Sequence, residues 1–378
     1  MRVAVIGAGA GGLVCARESL REGLTPHVFE AGTDVGGTWV YDERPHQHGA
    51  MYASLRTNLP TDVMAFSDVP FDIPPAFVGH TNVRKYLEAF ATPLRPHIRF
   101  NHRVRSVHPS PGGFHVDGTR FDGVAVCTGH YHQPHRPTLR GLDTFTGRVT
   151  HSHDYRRPDA FVGRRVAVLG AKASGIDISA ELASHAEAVW LCAREPSPAR
   201  TGVVARAAVT AADGPVLQLG DGTQLDDVDD LLLCTGYDYA FPFLAPGLVT
   251  VEPKWVHPLW LDVVCIDAPQ LAFIGLPFQV VPFPLMELQS RLFAQLLSGR
   301  LTLPSTHDMH AAHARSVAAL DAAEVPRRHR FKYGPRQFEV LEDLASRVGS
   351  PPPPAWFRVR YEATSEARRT NPHGYRDP

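Results

Sequence analysis

The chain opens on a run that admits few folds: Arg2-Val3-Ala4-Val5-Ile6 followed at once by Gly7-Ala8-Gly9-Ala10-Gly11-Gly12. The apolar, β-branched residues before the glycines predict a short buried strand, and a helical pattern continues after them through about Glu22. A second strand is expected over Pro26–Phe29, ending at the acidic Glu30. Strand, G-x-G-x-x-G, helix, strand and acid within about thirty residues is the signature of a dinucleotide-binding turn. Each glycine has its own reason: Gly7 permits the tight turn, Gly9 lets the backbone approach a pyrophosphate, and Gly12 lets helix and strand pack closely. The helix N-terminus adds amide donors and partial positive charge. Glu30 stands 23 residues after Gly7, where a carboxylate accepts from an adenosine ribose and repels a 2′-phosphate. FAD or NAD is therefore favoured over NADP here, against the alternative of a glycine-rich turn without a nucleotide.

Gly36-Gly37-Thr38-Trp39 follows closely enough to lie beneath a ribityl chain or isoalloxazine ring. The arrangement resembles the FAD-binding half of two-dinucleotide flavoproteins, a simple turn being the alternative. A second unit of the same kind begins at Arg165-Val166-Ala167-Val168-Leu169, and Gly170-Ala171-Lys172-Ala173-Ser174-Gly175 opens a helix expected over Ile176–Ala186. Lys172 replaces the central glycine, which restricts backbone approach but brings an ammonium to the phosphates. The next strand, Ala188–Cys192, runs into Ala193-Arg194. A guanidinium at that place pairs with a 2′-phosphate, so NADPH is implied, a solvated surface charge being the other reading. Two further apolar strands, Gly123 to Cys127 and Leu231 to Cys234, each run into Thr-Gly, consistent with crossings where glycine relieves a close approach.

Composition removes several other classes. With 38 basic against 39 acidic side chains the net charge is −1, which offers no basic field to nucleic acid. The five cysteines (Cys15, Cys127, Cys192, Cys234 and Cys265) contain no CxxC pair. They read as buried small hydrophobes and not as a disulfide framework, a zinc site or a dithiol redox centre. Met1-Arg2 and the apolar run behind it imitate a signal peptide, but cleavage would destroy the glycine motif. The most hydrophobic stretch, Leu271 to Met286, is interrupted by Pro277, Pro282 and Pro284, so no membrane span is expected and the cytoplasm is the expected location.

Between the two glycine units stands Phe145-Thr146-Gly147-Arg148-Val149-Thr150-His151-Ser152-His153-Asp154-Tyr155, of the form F-x-G-x-x-x-H-x-x-x-Y. With its two flanking glycine sites this resembles the flavin-containing monooxygenases, which are class B flavoprotein monooxygenases. Related Baeyer–Villiger enzymes end the motif in tryptophan with Pro or Asp after it, whereas Tyr155-Arg156 stands here and matches the sulfur- and nitrogen-oxidising branch. The segment Tyr52 to Pro60 resembles the family's stretch bearing an active-site Thr-Asn pair, here Thr57-Asn58. Phe283 to Gln289, Asn371-Pro372 with Tyr375-Arg376-Asp377, and Ala173-Ser174-Gly175-Ile176-Asp177 are similar to compact plant and fungal S-oxygenating members.

The resemblance implies FAD at Gly7, Gly9, Gly11, Gly12, Glu30, Gly37, Thr38, Trp39, Thr57, Asn58 and Gln289. It implies NADPH at Gly170, Lys172, Ser174, Gly175, Asp177 and Arg194, and no metal. It further implies that NADPH reduces the flavin, that O2 adds to give a C4a-hydroperoxide, and that one oxygen atom passes to a sulfide, thiol or amine. The cofactor carries that chemistry. Asn58 is the catalytic candidate, since a neutral amide hydrogen-bonds the oxygenated flavin without protonating it. His151 reads as a packed, hydrogen-bonded histidine in the linker and not as a general base. His130, His132 and His135 show no acidic neighbour, and His307, His310 and His313 fall on an exposed helix face, the outer two about 120° apart.

The expected fold class is α/β, with two nested Rossmann-like dinucleotide-binding domains and mainly parallel sheets. Residues 1–155 and 238–378 are expected to form the FAD-binding domain, with 156–237 inserted as the NADPH-binding domain. The expected partners are a small nucleophilic substrate and O2, with a homodimer as the candidate assembly. An NADPH oxidase producing hydrogen peroxide, or a flavin-binding sensor with a decayed NADPH site, are the competing functions.

Overall fold

Residues 2–6 form a strand whose side chains divide between two apolar layers, Val3 and Val5 in one and Ala4 and Ile6 in the other. A strand covered on both faces belongs at the centre of a parallel sheet. A computed structural model describes residues 1–44, 49–195, 201–372 and 374–377. The chain divides into two units, one comprising Met1–Val40, Arg56–His130 and Tyr239–Pro378, the other Tyr41–Leu55 and Tyr131–Asp238.

In the first unit, Arg2–Ile6 lies inside a seven-stranded sheet ordered Leu259–Trp260, Val264–Cys265, Leu271–Phe273, Gly123–Val126, Arg2–Ile6, Thr25–Phe29 and Ile98–Arg99. The last five are mutually parallel, and the first two strands run antiparallel at the edge. Val3 and Val5 face the helices Ala10–Arg21 and Pro282–Ser298 through Leu13, Val14, Leu288 and Leu292. Ala4 and Ile6 face Phe114, Phe121 and Val116, which come from a small antiparallel sheet. Among the described residues no helix is long and apolar enough to cross a membrane.

The second unit centres on five parallel strands in the order Val204–Ala207, Ala188–Ala193, Arg165–Leu169, Asp230–Leu233 and Arg148–His151. Helix Ala173–Leu182 packs on the sheet through Ile178 and Leu182. The connection from Arg194 to Leu231 also contains a three-stranded antiparallel sheet, Val209–Asp213, Val216–Leu219 and Gln224–Leu225. These observations move the unit boundaries expected from sequence. The strand Arg148–His151 pairs with Asp230–Leu233, which draws residues 131–155 into the second unit. Residues 41–55 join it as well, because Tyr52 enters the cluster of Tyr155, Ile178 and Leu182, and Ser54 donates to Glu181 at 2.8 Å.

The Phe145–Tyr155 motif builds the edge of this sheet. Phe145 is a core residue, and a Cβ on Gly147 would lie 2.5 Å from the Phe145 ring and 2.8 Å from the Asp229 carbonyl oxygen. Arg148 Nε donates to buried Asp230 at 2.5 Å, and Arg164 donates to its other oxygen. Two guanidiniums on one buried carboxylate supply the compensation such a charge requires. Tyr155 is buried and donates to Glu181 at 2.8 Å.

His151 ends that edge strand fully buried, with Nε2 3.1 Å from the Gly236 carbonyl and Nδ1 accepting from the His153 amide at 3.0 Å. A ring that donates at one nitrogen and accepts at the other is neutral. Burial, and then the positive charge of Arg136, push its pKa down to about 4 from 6.5. The unfolded chain therefore takes up a proton that the folded chain refuses, and stability is full above pH 6.5 and falls as pH drops toward 4. A His151→Asn variant should lose this part of the acid sensitivity, up to one proton per molecule in that window, as read from urea midpoints against pH. Parallel profiles for variant and parent would contradict the neutral, buried assignment.

Candidate functional site

The first glycine turn is shaped by backbone contact. Gly7 has φ +106°, and a Cβ there would lie 2.6 Å from the Cys127 carbonyl oxygen. A Cβ on Gly12 would lie 1.8 Å from the Gly7 carbonyl oxygen. Gly9, in extended backbone, caps helix Ala10–Arg21, and a Cβ on it would come 3.4 Å from the Gly37 Cα. The single turn Gly37–Trp39 rests on this loop, tied by the Gly36 amide to the Ala8 carbonyl at 3.0 Å, which brings Thr38 and Trp39 beside it. A Cβ on Gly11 would make ordinary contacts with Ile274 at 3.4 Å and Met286 at 3.6 Å.

Glu30 follows the second strand and braces the loop. Its oxygens accept from the Ala8 amide at 2.7 Å and the Gly32 amide at 2.6 Å. Each carboxylate oxygen keeps further lone-pair capacity for a ribose hydroxyl. Gln289, on helix Pro282–Ser298, is wholly buried, and its Oε1 accepts from the Gly275 amide at 2.8 Å. Its Nε2 meets no acceptor among the described residues. A buried orphan donor costs stability unless something accepts from it. The glycine cradle, the braced carboxylate and this donor fit FAD, and Gly7, Gly9, Gly12, Glu30, Thr38, Trp39 and Gln289 are the residues that could hold it.

Thr57 and Asn58 form a second cluster in the same unit. Thr57 bonds Val78 twice, its amide to the carbonyl at 2.8 Å and its hydroxyl oxygen to the amide at 3.1 Å. Asn58 Oδ1 accepts from the Tyr375 hydroxyl at 3.1 Å and from Arg376 at 2.5 Å. Sequence reading had grouped Tyr375-Arg376 only as part of a family-like stretch, because no local pattern links positions 317 apart.

In the second unit the backbone geometry repeats. Gly170 has φ +114° with a would-be Cβ 2.5 Å from the Cys234 carbonyl oxygen, and a Cβ on Gly175 would lie 1.7 Å from the Gly170 carbonyl oxygen. Lys172 caps helix Ala173–Leu182 with φ −102° and ψ −166°, close to the −75° and −175° of Gly9, so the lysine leaves the course of the loop intact. Its side chain is exposed, as is that of Arg194 at the end of strand Ala188–Ala193. Ser174 stands in the helix's first turn, and Asp177 one turn on accepts from the Tyr52 hydroxyl at 3.3 Å. This turn and its two exposed cations fit a phosphorylated dinucleotide.

Several other expectations change. His135 does have an acidic partner, Asp238, 2.8 Å from its Nδ1, brought by a strand pairing of Gln133–Pro134 with Tyr237–Asp238. His313 is half-buried and stacks with Trp255 and His257, while His310 lies 2.8 Å from Asp267, so only His307 is freely exposed on that helix face. All five cysteines are buried, and burial pushes the thiols of Cys192 and Cys234 up to about 12, which keeps both protonated. Arg156, unassigned from sequence beyond its place after Tyr155, donates to the carbonyls of Asp42 at 2.6 Å and Gly49 at 2.9 Å.

Comparison with known proteins places the chain among flavin-dependent monooxygenases. The flavin-binding monooxygenase-like family matches residues 1–208 and 196–360. The chain is 37% identical to flavin-containing monooxygenase FMO GS-OX-like 4 of Arabidopsis thaliana, covering 99% of this chain and 93% of that protein. Among solved structures, S-allyl-L-cysteine S-oxygenase from Allium sativum superposes with a TM-score of 0.93 at 36% identity, over 100% of this chain and 95% of the other. Tmm from Pelagibacter sp. strain HTCC7211 gives a TM-score of 0.88 at 25% identity, over 100% and 93%.

Gly9 and Gly12 separate the cradle from the fold. Gly9→Ala meets only an ordinary 3.4 Å contact, so it should keep the parent far-UV circular dichroism while losing most of its flavin absorbance. Gly12→Ala, at 1.8 Å from backbone oxygen, should destabilise the chain by roughly 3 kcal/mol or more. Full flavin occupancy in Gly9→Ala would remove Gly9 from the cradle.

Proposed function

Because the chain belongs to the flavin-binding monooxygenase-like family, whose members are flavin-dependent monooxygenases using FAD and NADPH, we propose that it oxygenates a soft nucleophile. A sulfide, thiol or amine would receive one atom of O2 and leave as an S-oxide, N-oxide or hydroxylamine. The observation that carries this reading is the pair of glycine cradles with opposite charges at their ribose ends, Glu30 at one and Arg194 at the other. In this reading the first unit holds FAD and the second NADPH. Similarity to the garlic S-oxygenase supports a sulfur substrate.

When bound, the flavin supplies the redox chemistry and the activation of oxygen. The chain's part is to bind, orient and hydrogen-bond. The amides at the start of helix Ala10–Arg21 would hold the pyrophosphate of FAD, and Glu30, which braces the loop, would present negative charge to ribose hydroxyls. Lys172 and the start of helix Ala173–Leu182 would hold the phosphates of NADPH, and Arg194 would pair with its 2′-phosphate. Asn58 would offer a neutral amide donor that transfers no proton. His151 takes no part as a base, being buried and neutral.

Two measurements test this reading. Under 18O2 a dialkyl sulfide or tertiary amine should gain one labelled oxygen for each NADPH consumed, and Arg194→Ala should raise the KM for NADPH roughly ten-fold or more while leaving that for NADH nearly unchanged. Peroxide formed in proportion to NADPH, with no labelled product across the panel, would favour an oxidase instead.

A further inference from the structure

We propose that the C-terminal pair Tyr375-Arg376 is the positioning clamp of Asn58, occupying both lone pairs of its amide oxygen so that the carboxamide can only donate. The inference rests on the assignment of Asn58 above. A guanidinium has no acceptor, so Oδ1 must be the atom that faces Arg376, and Nδ2 is left as the donor end of the carboxamide. The Tyr375 hydroxyl reaches the same oxygen at 3.1 Å. A charge-assisted hydrogen bond on the oxygen also withdraws electron density from the amide, which makes Nδ2 a better donor.

The rest of the segment holds these two groups in place. Arg376 Nε donates to the Thr57 carbonyl at 3.0 Å, so one guanidinium reads both the backbone before Asn58 and its side chain. Tyr375 is buried, meets Phe77 edge-on at 5.4 Å and carries the Arg376 guanidinium 5.0 Å from its ring centre. Asn371 closes the turn, its Oδ1 accepting from the Gly374 amide at 2.9 Å and its carbonyl from the Tyr375 amide at 3.1 Å. Outside this, Arg56 donates twice to Asp377, at 2.7 and 2.9 Å. Asp377 is 70% exposed, so that outer pair contributes little and the inner contacts carry the clamp. A purely structural anchor would need only the Thr57 carbonyl. The two donors directed at Asn58 Oδ1 act on a side chain that would otherwise rotate or flip.

The test uses the FAD-loaded full chain with Asn58→Ala, Arg376→Met, Arg376→Lys, Tyr375→Phe and the control Arg369→Met, an exposed arginine paired with Glu366. Oxygenated product and peroxide are measured per NADPH, together with thermal midpoints of Asn58→Ala, Arg376→Met and their combination. Arg376→Met should lower product per NADPH roughly five- to ten-fold, with peroxide rising in its place, at retained flavin content. Tyr375→Phe should give a smaller shift in the same direction, Arg376→Lys a partial recovery, and Arg369→Met the parental ratio. The double variant should melt within about 1 °C of the lower single variant, because both changes remove one interaction. If Asn58→Ala uncouples but Arg376→Met and Tyr375→Phe keep the parental ratio, or if the midpoints are additive, the clamp is overturned. If Asn58→Ala itself keeps the parental ratio, the Asn58 assignment fails, and the non-additive midpoints alone then report the contact.

Discussion

Everything in this chain depends on three pieces of backbone meeting where side chains cannot fit. At Gly7 and Gly12 a strand end, a helix start and the carbonyl of Cys127 on the neighbouring strand meet at distances no Cβ tolerates. The same meeting recurs at Gly170, Gly175 and the carbonyl of Cys234. Close approach sets the helix against the sheet, and its N-terminus then stands at the ends of parallel strands, the place where helix starts take phosphate in folds of this kind. The Cys-Thr-Gly segments thus have a common job. In each unit the cysteine carbonyl abuts the first glycine, and the following turn glycine, Gly129 or Gly236, takes a positive φ to leave the strand.

Around these turns, several charges are compensated locally. Asp230 sits buried beneath two arginines, Arg156 spends its guanidinium on loop carbonyls, and Glu30 is held by two amides of its own loop. Gln289 keeps a buried donor without an acceptor among the described residues, and Lys172 and Arg194 are exposed beside a phosphate-sized turn.

The glycine turns were legible in the sequence because their cause is local: a missing side chain at fixed spacing within one strand–turn–helix unit. The parallel α/β class followed from the same segments. What could not be read came from contacts between distant positions. The strand Arg148–His151 carries no mark in its own residues of its pairing with Asp230–Leu233, which draws it into the second compact unit. Likewise Tyr52 and Ser54 belong to the second unit through Asp177 and Glu181, and His135 meets Asp238 across a gap of 103 positions. Asn58 was marked by resemblance, but which of its two amide atoms is available emerges only from Tyr375 and Arg376.

The central claim is that a single chain accepts reducing equivalents from NADPH on one bound dinucleotide and uses them to activate oxygen on another. Anaerobic addition of NADPH to the FAD-loaded protein, followed by rapid mixing with oxygenated buffer, tests it most directly. The account predicts that NADPH bleaches the flavin, and that oxygen is then consumed measurably before the oxidised-flavin band returns. Failure of NADPH to bleach the flavin would contradict the claim at its first step; return of the band in step with oxygen uptake, with stoichiometric peroxide, would contradict it at the second.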